Sequence, residues 1–229
     1  MAKLLALDTA TDACSVALST ESGIIEDFRV IPRKHTQELL PMVKAMLAQQ
    51  GVSFSDLDAI AVGRGPGSFA GIRIAMGTAQ GLAFASGLPV VPVSTLKAMA
   101  LRIQKDTGEQ HVVSALDARM NEIYYGCYAI EDGVLVETQA ERVAAPGDLA
   151  LPDATANYFA GGTGWVYRDV MPVSEMERIT VLAEPVYPRA ADILELGLLE
   201  FNAGRSVEPE QAQPVYLRDE VAWKKKDQQ

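Results

Sequence analysis

The sequence predicts an α/β fold made of two related lobes, and three observations support this prediction. Apolar stretches of strand length come first and then alternate with helix-length stretches, in the order βββαβαβα. The second half begins like the first, because Ala6–Asp8 and Ala115–Asp117 both read Ala-Leu-Asp before a four-residue turn and another strand. The length of 229 residues, 48% of them hydrophobic, suffices for one large domain or two small ones.

The strands of the first half are short apolar stretches that end at turn residues. The first three are predicted to form an antiparallel meander: Lys3–Asp8, Cys14–Ser19 and Ile24–Ile31. Leu57–Val62 is apolar enough to be a buried parallel strand, and Leu88–Val93 is another short strand. These segments predict a first sheet that mixes antiparallel and parallel strands.

Three helices are predicted beside and between these strands: Thr36–Gln50, Ser68–Ser86 and Ser94–Lys105. Ser68 and Ser94 are suitable N-caps, because a serine hydroxyl accepts a hydrogen bond from a free N–H of the first turn. Gly51 closes the first helix, and Gly87 ends the second. Pro41 must lie in the first turn of its helix or kink it.

The turn at Thr107–Gln110 is the predicted boundary between the lobes. We expect an N-terminal lobe at 1–105, a C-terminal lobe at 106–210 and a tail at 211–229. The elements predicted for the second lobe are Val112–Asp117, Glu122–Ile130, Val134–Val143 and Tyr158–Ala160 as strands, with a helix at Ala190–Phe201. The second lobe is therefore a degenerate copy of the first. In the tail, Pro214–Trp223 could be extended, and Lys224–Gln229 is predicted to be loose.

The helix at Ser68–Ser86 has two apolar faces, where a surface helix normally has one. The first face consists of Ile72, Ala75, Ala79, Leu82 and Ala83. The second consists of Ala70, Ile74, Gly77, Gly81 and Ala85, with Phe84 beside it. Each helical glycine costs roughly 1 kcal/mol relative to alanine, so a compensating contact is expected. One face can pack on the helix's own sheet, and the other indicates docking of a partner, although a helix buried wholly inside its own domain would show the same pattern.

The first helix carries a stripe of Leu39, Met42, Val43 and Met46. Methionine side chains adapt to irregular contact surfaces, but they also fill cores. We interpret the stripe as part of the same partner-binding surface, while core packing remains the alternative.

Composition excludes several classes of function. A net charge of −10 argues against unaided binding of nucleic acid, which needs clustered Lys and Arg. The two cysteines, Cys14 and Cys127, lie in predicted strands and indicate a reduced cytosol without a disulfide framework. The N-terminus lacks the long apolar region of a signal peptide, and no apolar stretch approaches the ~20 residues of a membrane span.

Two features could form a nucleotide site. Asp8 and Asp117 each end a strand, and such carboxylates face each other across the cleft of two-domain nucleotide-binding folds; capping of their own turns is the alternative. The loop Gly63–Ser68 joins a strand to a helix N-terminus, which is a suitable place for a phosphate. Its glycine spacing matches neither a dinucleotide fingerprint nor a P-loop, so a plain turn is the simpler interpretation.

Histidine supply limits the catalytic chemistry. The only histidines are His35 and His111, too few for a metal site built on histidines, and each is interpreted as a surface or capping residue. Gly161–Trp165 could line a cleft or be a glycine turn with a packed Trp. Pro214–Arg218 carries Tyr and Arg, residue types common in binding hot spots, or it packs on its own domain.

Six motifs in this order identify a family: LALDTATDACSVAL, PRKHTQELLPMV, GRGPGSFAGIRIAMGTAQGLA, DARMNEIYY, GTGW and PVYLRDEVAWKK. Together they resemble the TsaB (YeaZ) family, bacterial proteins needed to make threonylcarbamoyladenosine in tRNA. The resemblance covers nearly the whole chain. It implies a two-lobed fold of the actin, sugar-kinase and Hsp70 type, in a cytoplasmic protein.

The resemblance also implies a function and partners. A TsaB-family protein is a non-catalytic subunit that pairs with TsaD, the catalytic paralogue that carries metal-binding histidines, and works with the ATPase TsaE. The complex transfers threonylcarbamoyl from threonylcarbamoyl-AMP to the tRNA adenosine next to the anticodon. Contact with tRNA is then indirect, no cofactor belongs to the chain itself, and ATP or ADP would bind at the junction with TsaD. Alone, family members form homodimers through the same helices.

Mapped onto this sequence, the docking helices are Thr36–Gln50 and Ser68–Ser86. The predicted partner-binding residues are Leu39, Met42, Val43, Met46, Ala70, Ile74, Gly77, Gly81, Phe84 and Ala85. The predicted cleft residues are Asp8, Thr9, Gly65, Gly67 and Asp117. Two rival functions stay open: a relative of glycopeptidase-like metallopeptidases, and a stand-alone nucleotide-binding protein.

Overall fold

The computed structural model describes residues 2–218, which form two five-stranded sheets. The strands of the first sheet are β1 (Leu4–Asp8), β2 (Ala13–Thr20), β3 (Gly23–Val30), β4 (Ala59–Gly63) and β5 (Val90–Val93). Those of the second are β6 (His111–Arg119), β7 (Glu122–Glu131), β8 (Val134–Ala144), β9 (Tyr158–Gly161) and β10 (Ile179–Val181). The helices are α1 (His35–Gln50), α2 (Phe69–Ser86), α3 (Thr95–Thr107), α4 (Val173–Met176) and α5 (Ala190–Asn202).

The two sheets have the same topology, which confirms the predicted duplication. The first is ordered β3-β2-β1-β4-β5, and the second, read in the same direction, is β8-β7-β6-β9-β10. In each sheet the opening strand pairs antiparallel with the next strand and parallel with a later one. The second lobe is degenerate because short 3₁₀ segments stand where the first lobe has long helices, as at Thr163–Val170.

The predicted helix ends follow the capping chemistry. Ser68 accepts a hydrogen bond from the N–H of Gly71, and Ser94 accepts one from the N–H of Lys97. Gly87 ends α2 in the left-handed conformation, with φ 68°. Of the two alternatives for Pro41, a place in the first turn is wrong, because this residue lies further inside α1; a kink stays a prediction.

One of the hydrophobic core clusters contains residues of both lobes, such as Leu4 and Val112. The predicted division into two separate lobes did not anticipate this shared cluster. Helix α5 contacts β1, β2, β4 and β5 of the first sheet, although it follows the second sheet in the chain. Helix α3 packs on β6, β7 and β9 of the second sheet. At Gly197 the backbone of α5 comes so close that a Cβ would lie 2.8 Å from Cβ of Ala61. The expected assignment of Ala190–Phe201 to the second lobe, within 106–210, is therefore wrong for the packing of this helix.

The C-terminal segment runs back along the first lobe. Val207 forms an antiparallel bridge with Val90 at the edge of the first sheet. The side chain of Gln80 on α2 donates to the carbonyls of Pro209 and Ala212, at 3.1 and 2.9 Å. Residues 214–218 are irregular, and the rest of the predicted extended stretch and loose end, 219–229, lies outside the described residues.

Candidate docking face and interlobe cleft

The inner face of α2 is closely packed on the first sheet. Its buried side chains are Ile72, Ala75, Met76, Ala79 and Ala83. At Gly71 the helix backbone touches strand β1, because a Cβ there would overlap the carbonyl oxygen of Thr9. The hydroxyl of Thr9 donates to the carbonyl of Gly71 at 2.7 Å. The first predicted face is therefore used within the lobe, with Leu82 only half-buried at its margin.

The opposite face of α2 is exposed and apolar. We call it the outer face; it comprises Ala70, Ile74, Gly77, Gly81, Phe84 and Ala85, of which Ile74 is half-buried against the core of the first lobe and the others are exposed. Phe84 is 72% exposed, and a Cβ placed at Gly77 or Gly81 would meet no atom within 4 Å. Nothing in the described part of the chain therefore requires glycine at these two positions. The prediction that this face binds a partner stays a prediction.

A groove of about 430 Å³ runs between α1 and α2 beside the outer face. Its lining consists of Thr36, Leu39, Leu40, Ile74, Gly77, Thr78, Gly81 and Leu82. Leu40 is 42% exposed and was missed as a site residue. Its position directly after Leu39, at the side of the predicted stripe of α1, could have identified it.

The methionine stripe of α1 is part of the core, and its prediction as a surface is wrong. Leu39, Met42, Val43 and Met46 are at most 5% exposed. They pack with the side chains of β2, and the Sδ of Met42 lies 3.7 Å from the Sγ of Cys14. The reason is that α1 covers the same face of the first sheet as α2, so its apolar stripe is used inside the lobe. The accessible part of α1 at the groove is Thr36 and Leu40.

A cleft of about 1160 Å³ separates the lobes. Of the predicted cleft residues, Gly67 and Asp117 line it. Asp8, Thr9 and Gly65 are buried and absent from its wall. The expectation that Asp8 and Asp117 face each other across the cleft is therefore wrong. The turn after β1 is closed over by α2, since the N–H of Ser68 donates to the carbonyl of Ala10 at 2.7 Å.

Asp8 is a buried carboxyl group whose two oxygens differ in their contacts. Its Oδ1 accepts from the N–H of Ala10 at 3.0 Å, while Oδ2 has no hydrogen-bond partner among residues 2–218. Burial raises the pKa of Asp8 from 3.8 to about 7, and the hydrogen bond from Ala10 only partly opposes this. A carboxyl group that is half-protonated near neutral pH and shielded from the cleft is unsuited to hold metal-bound phosphates.

Asp117 caps its own turn, as the alternative interpretation had it. Its Oδ1 accepts from the N–H of Arg119 at 2.8 Å and from the hydroxyl of Tyr167 at 3.2 Å. Its Oδ2 is paired with the Arg119 guanidinium at 3.1 Å. These bonds hold the carboxylate at the rim of the cleft without directing it at a ligand.

The glycine loop before α2 is used by the fold. The N–H of Arg64 donates to the carbonyl of Val93, and that of Ser68 to Ala10. At Gly67 a Cβ would lie 2.6 Å from the same Ala10 oxygen, so glycine is needed there for close approach. Two amides of the loop are thus already paired, and the plain-turn interpretation fits the structure better than a phosphate cradle.

The described residues offer little catalytic chemistry. Within 2–218, no group of three or more His, Cys, Asp or Glu side chains could hold a metal ion. His35 is buried, with its Nε2 3.2 Å from the carbonyl of Ala13, so its prediction as a surface residue is wrong. Burial raises the pKa of Cys14 and Cys127 to about 12, which excludes either as a thiolate nucleophile at neutral pH. Trp165 is buried, and its Nε1 donates to the carbonyl of Gly161. This agrees with the interpretation of Gly161–Trp165 as a glycine turn with a packed Trp.

Comparison with known proteins identifies the family. A model described as "TsaD: tRNA N6-adenosine threonylcarbamoyltransferase" matches residues 29–226. The tRNA threonylcarbamoyladenosine biosynthesis protein TsaB of Escherichia coli (strain K12) is 42% identical over 228 residues, with 97% of each chain covered. The protein of the same name from Haemophilus influenzae is 38% identical over 230 residues, covering 97% of this chain and 96% of the relative. The chain belongs to the TsaB (YeaZ) family.

Solved structures agree with the TsaB-family fold. YeaZ from Pseudomonas aeruginosa superposes with a TM-score of 0.89 at 47% identity, covering 95% of this chain and 100% of that one. A second Pseudomonas aeruginosa structure, described as an uncharacterized protein with similarity to peptidase YEAZ, gives 0.90 at 48% identity with the same coverage. The TsaB-family chain thus has the two-lobed fold of the actin, sugar-kinase and Hsp70 type. In residues 2–218 no helix is both long and apolar enough to cross a membrane.

Proposed function

We propose that this TsaB-family chain is a non-catalytic accessory subunit that binds and activates a TsaD-type transferase. Together with the ATPase TsaE, the pair transfers threonylcarbamoyl from threonylcarbamoyl-AMP to the tRNA adenosine next to the anticodon. The observation that supports this proposal most is the outer face of α2. It exposes apolar side chains, and a Cβ at either of its two glycines, Gly77 and Gly81, would meet no atom of residues 2–218 within 4 Å.

The energetics of the outer face favour burial by another protein. Gly77 and Gly81 weaken α2 by roughly 1 kcal/mol each relative to alanine. Glycines four residues apart leave room for the backbone of a second helix to approach closely. Leu40, 42% exposed, and Phe84, 72% exposed, flank the glycines and would bury apolar area in the same contact. The TsaB-family membership, together with the likeness of residues 29–226 to the TsaD family model, supports TsaD as the partner in this proposal.

Charge and side-chain chemistry support an accessory role. With a net charge of −10, the chain is unsuited to hold tRNA, so tRNA binding falls to the partners. The described residues lack a metal-capable cluster. We further propose that the chain holds no cofactor of its own and that ATP or ADP binds at the junction with TsaD. In the absence of TsaD, two copies pair through the same outer face, and the protein works in the cytoplasm.

The experiment that tests the proposed function is a reconstitution with purified proteins. This chain, TsaD and TsaE are combined with unmodified tRNA and threonylcarbamoyl-AMP, and modified adenosine is measured by mass spectrometry. We expect no product from the chain alone, little from TsaD alone, and a yield that rises with added chain until the two are equimolar.

Two outcomes would contradict the proposal. Product formed by the chain alone would make it an enzyme, and a TsaD activity that is independent of the chain would remove its role. Heat released on mixing the isolated chain with ATP and magnesium would instead favour the stand-alone nucleotide-binding function.

A further inference from the structure

The C-terminal segment links the two lobes at the wall of the cleft. Up to Ala212, which is fully buried, it is attached to the first lobe by the bridge from Val207 and the hydrogen bonds of Gln80. At Val215 the N–H donates to the carbonyl of Arg64 in the glycine loop, at 2.8 Å. Three residues later the chain reaches the second lobe, where Arg218 lines the cleft.

The first-lobe anchor of this segment is an aromatic stack on α2. The hydroxyl of Tyr216 accepts from Nε of Arg73 at 2.8 Å. The Arg73 guanidinium lies 3.8 Å above the ring centre of Phe69, and the rings of Phe69 and Tyr216 are 5.7 Å apart. Cation–π and aromatic contacts of this kind are attractive and hold the rings and the guanidinium together. The segment is thus held at the first turn of α2, part of which forms the cleft wall.

The second-lobe anchor is a strained turn between β6 and β7. Arg119, Met120 and Asn121 all have left-handed φ angles, of 63°, 56° and 58°, and none of them is glycine. This conformation is unfavourable for residues with a Cβ such as Arg119 and Met120, less so for asparagine, and it persists only where the surroundings hold it. Met120 is also 71% exposed, so its own packing does little to hold the turn.

Arg218 supplies contacts that hold this turn. Its Nη2 donates to the carbonyl of Ala118 at 3.2 Å and to the carboxylate of Glu122, on either side of the three strained residues. Its Nη1 lies 3.6 Å from the Sδ of Met120. The guanidinium side chain is 20% exposed, so these charge-assisted bonds are partly shielded from water.

We infer that residues 213–218 form a latch that ties the β6–β7 turn to the N-terminal end of α2 and so limits the opening of the interlobe cleft. Tyr216 attaches the latch to the first lobe, and Arg218 attaches it to the second. Loss of either end releases the strained turn and lets the cleft widen.

Hydrogen–deuterium exchange of the full chain tests whether Arg218 holds the β6–β7 turn. In Arg218→Ala, amides in peptides spanning 116–123 are expected to exchange about 10-fold faster or more, because the turn opens more often once its anchor is lost. The matched control is Arg205→Ala, which removes an exposed arginine paired with Glu200 outside the latch and is expected to leave these peptides unchanged. Unchanged exchange at 116–123 in Arg218→Ala would overturn the inference.

The variant Tyr216→Ala distinguishes a latch from a purely local role of Arg218. The described side-chain contacts of Tyr216 are with α2. If Arg218 acts only locally, the loss of the Tyr216 side chain should leave the β6–β7 turn unchanged. The latch predicts faster exchange at 116–123 in this variant as well. If only Arg218→Ala accelerates exchange, the two ends are not coupled and the latch is refuted.

The width of the cleft gives a second measurement. Thr36 and Val166 lie on different lobes, line the cleft and are exposed, so spin labels on cysteines introduced there report the opening. The natural Cys14 and Cys127 are fully buried and should escape labelling. We expect one narrow distance distribution in the otherwise unchanged chain and a longer, broader one in Arg218→Ala. The same distribution in both would contradict the latch.

Discussion

Replacing Asp8 with asparagine is expected to raise the free energy of unfolding at pH 8 by up to about 4 kcal/mol more than at pH 4. The pKa of Asp8 rises from 3.8 to about 7 on folding, because the carboxyl group is buried. Between these two values the folded state keeps a proton that the unfolded state has released. The wild-type chain therefore loses stability from this group as the pH rises, and the cost is complete above pH 7. Asparagine resembles the neutral acid and does not titrate.

The measurement for Asp8→Asn is urea unfolding at several pH values between 4 and 8.5. The informative quantity is the difference between variant and wild type, because other buried acids such as Glu141 also change the absolute pH profile. The control is Asp12→Asn, which removes an exposed carboxylate in the same turn. A difference between Asp8→Asn and wild type that stays constant with pH would show that Asp8 is ionised in the folded protein.

Two glycine-to-alanine changes in the same helix are expected to have opposite effects. At Gly71 a Cβ would overlap the backbone oxygen of Thr9. Neither the backbone of α2 nor that of Thr9 has much room to move away from this overlap. We expect Gly71→Ala to cost about 3 kcal/mol or more, from overpacking and from weakening the buried Thr9 hydrogen bond. At Gly77 a Cβ would meet nothing within 4 Å. Gly77→Ala should therefore stabilise the chain by about 1 kcal/mol, which corresponds to a rise in Tm of roughly 2–4 °C.

Thermal unfolding of the two variants beside wild type checks this pair, and each variant is the control for the other because the helix and the chemical change are the same. A Gly71→Ala variant as stable as wild type would refute the close approach of α2 to β1. A Gly77→Ala variant that is less stable would mean that the outer face of α2 is covered within the chain itself.

Local chemistry explains why the order of elements and the ends of α2 could be predicted. Apolar stretches of the right length marked the strands, and Ser68 and Gly87 end α2 through contacts with near neighbours in the sequence. The positions of α3 and α5 could not be predicted in the same way. The apolar face of a helix shows that it packs against something, but carries no local information on which sheet it meets. Helix α5 crosses back to the first sheet through contacts distant in the chain.

The candidate site shows the same limit more sharply. Gly71, Gly77 and Gly81 look alike in the sequence, yet within the described part of the chain a Cβ would clash at Gly71 and meet nothing at Gly77 or Gly81. The stripe of Met42 on α1 had the expected helical spacing, but spacing cannot tell a core from an interface. Asp8 and Asp117 end equivalent strands, and only Asp8 is covered, because the second lobe has a short 3₁₀ segment in place of α2.

We propose that the outer face of α2 is the surface that TsaD covers. Titration calorimetry with purified TsaD checks this proposal by comparing Gly81→Leu with Ala45→Leu. Both changes add a leucine to an exposed helical position, but the helical period places Ala45 on the side of α1 away from the groove. We predict unchanged affinity for Ala45→Leu and a loss of roughly 100-fold for Gly81→Leu, since a leucine at a close helix contact overpacks it. The melting temperature of Gly81→Leu should not fall below that of wild type. A Gly81→Leu chain that binds TsaD as tightly as wild type would contradict the account.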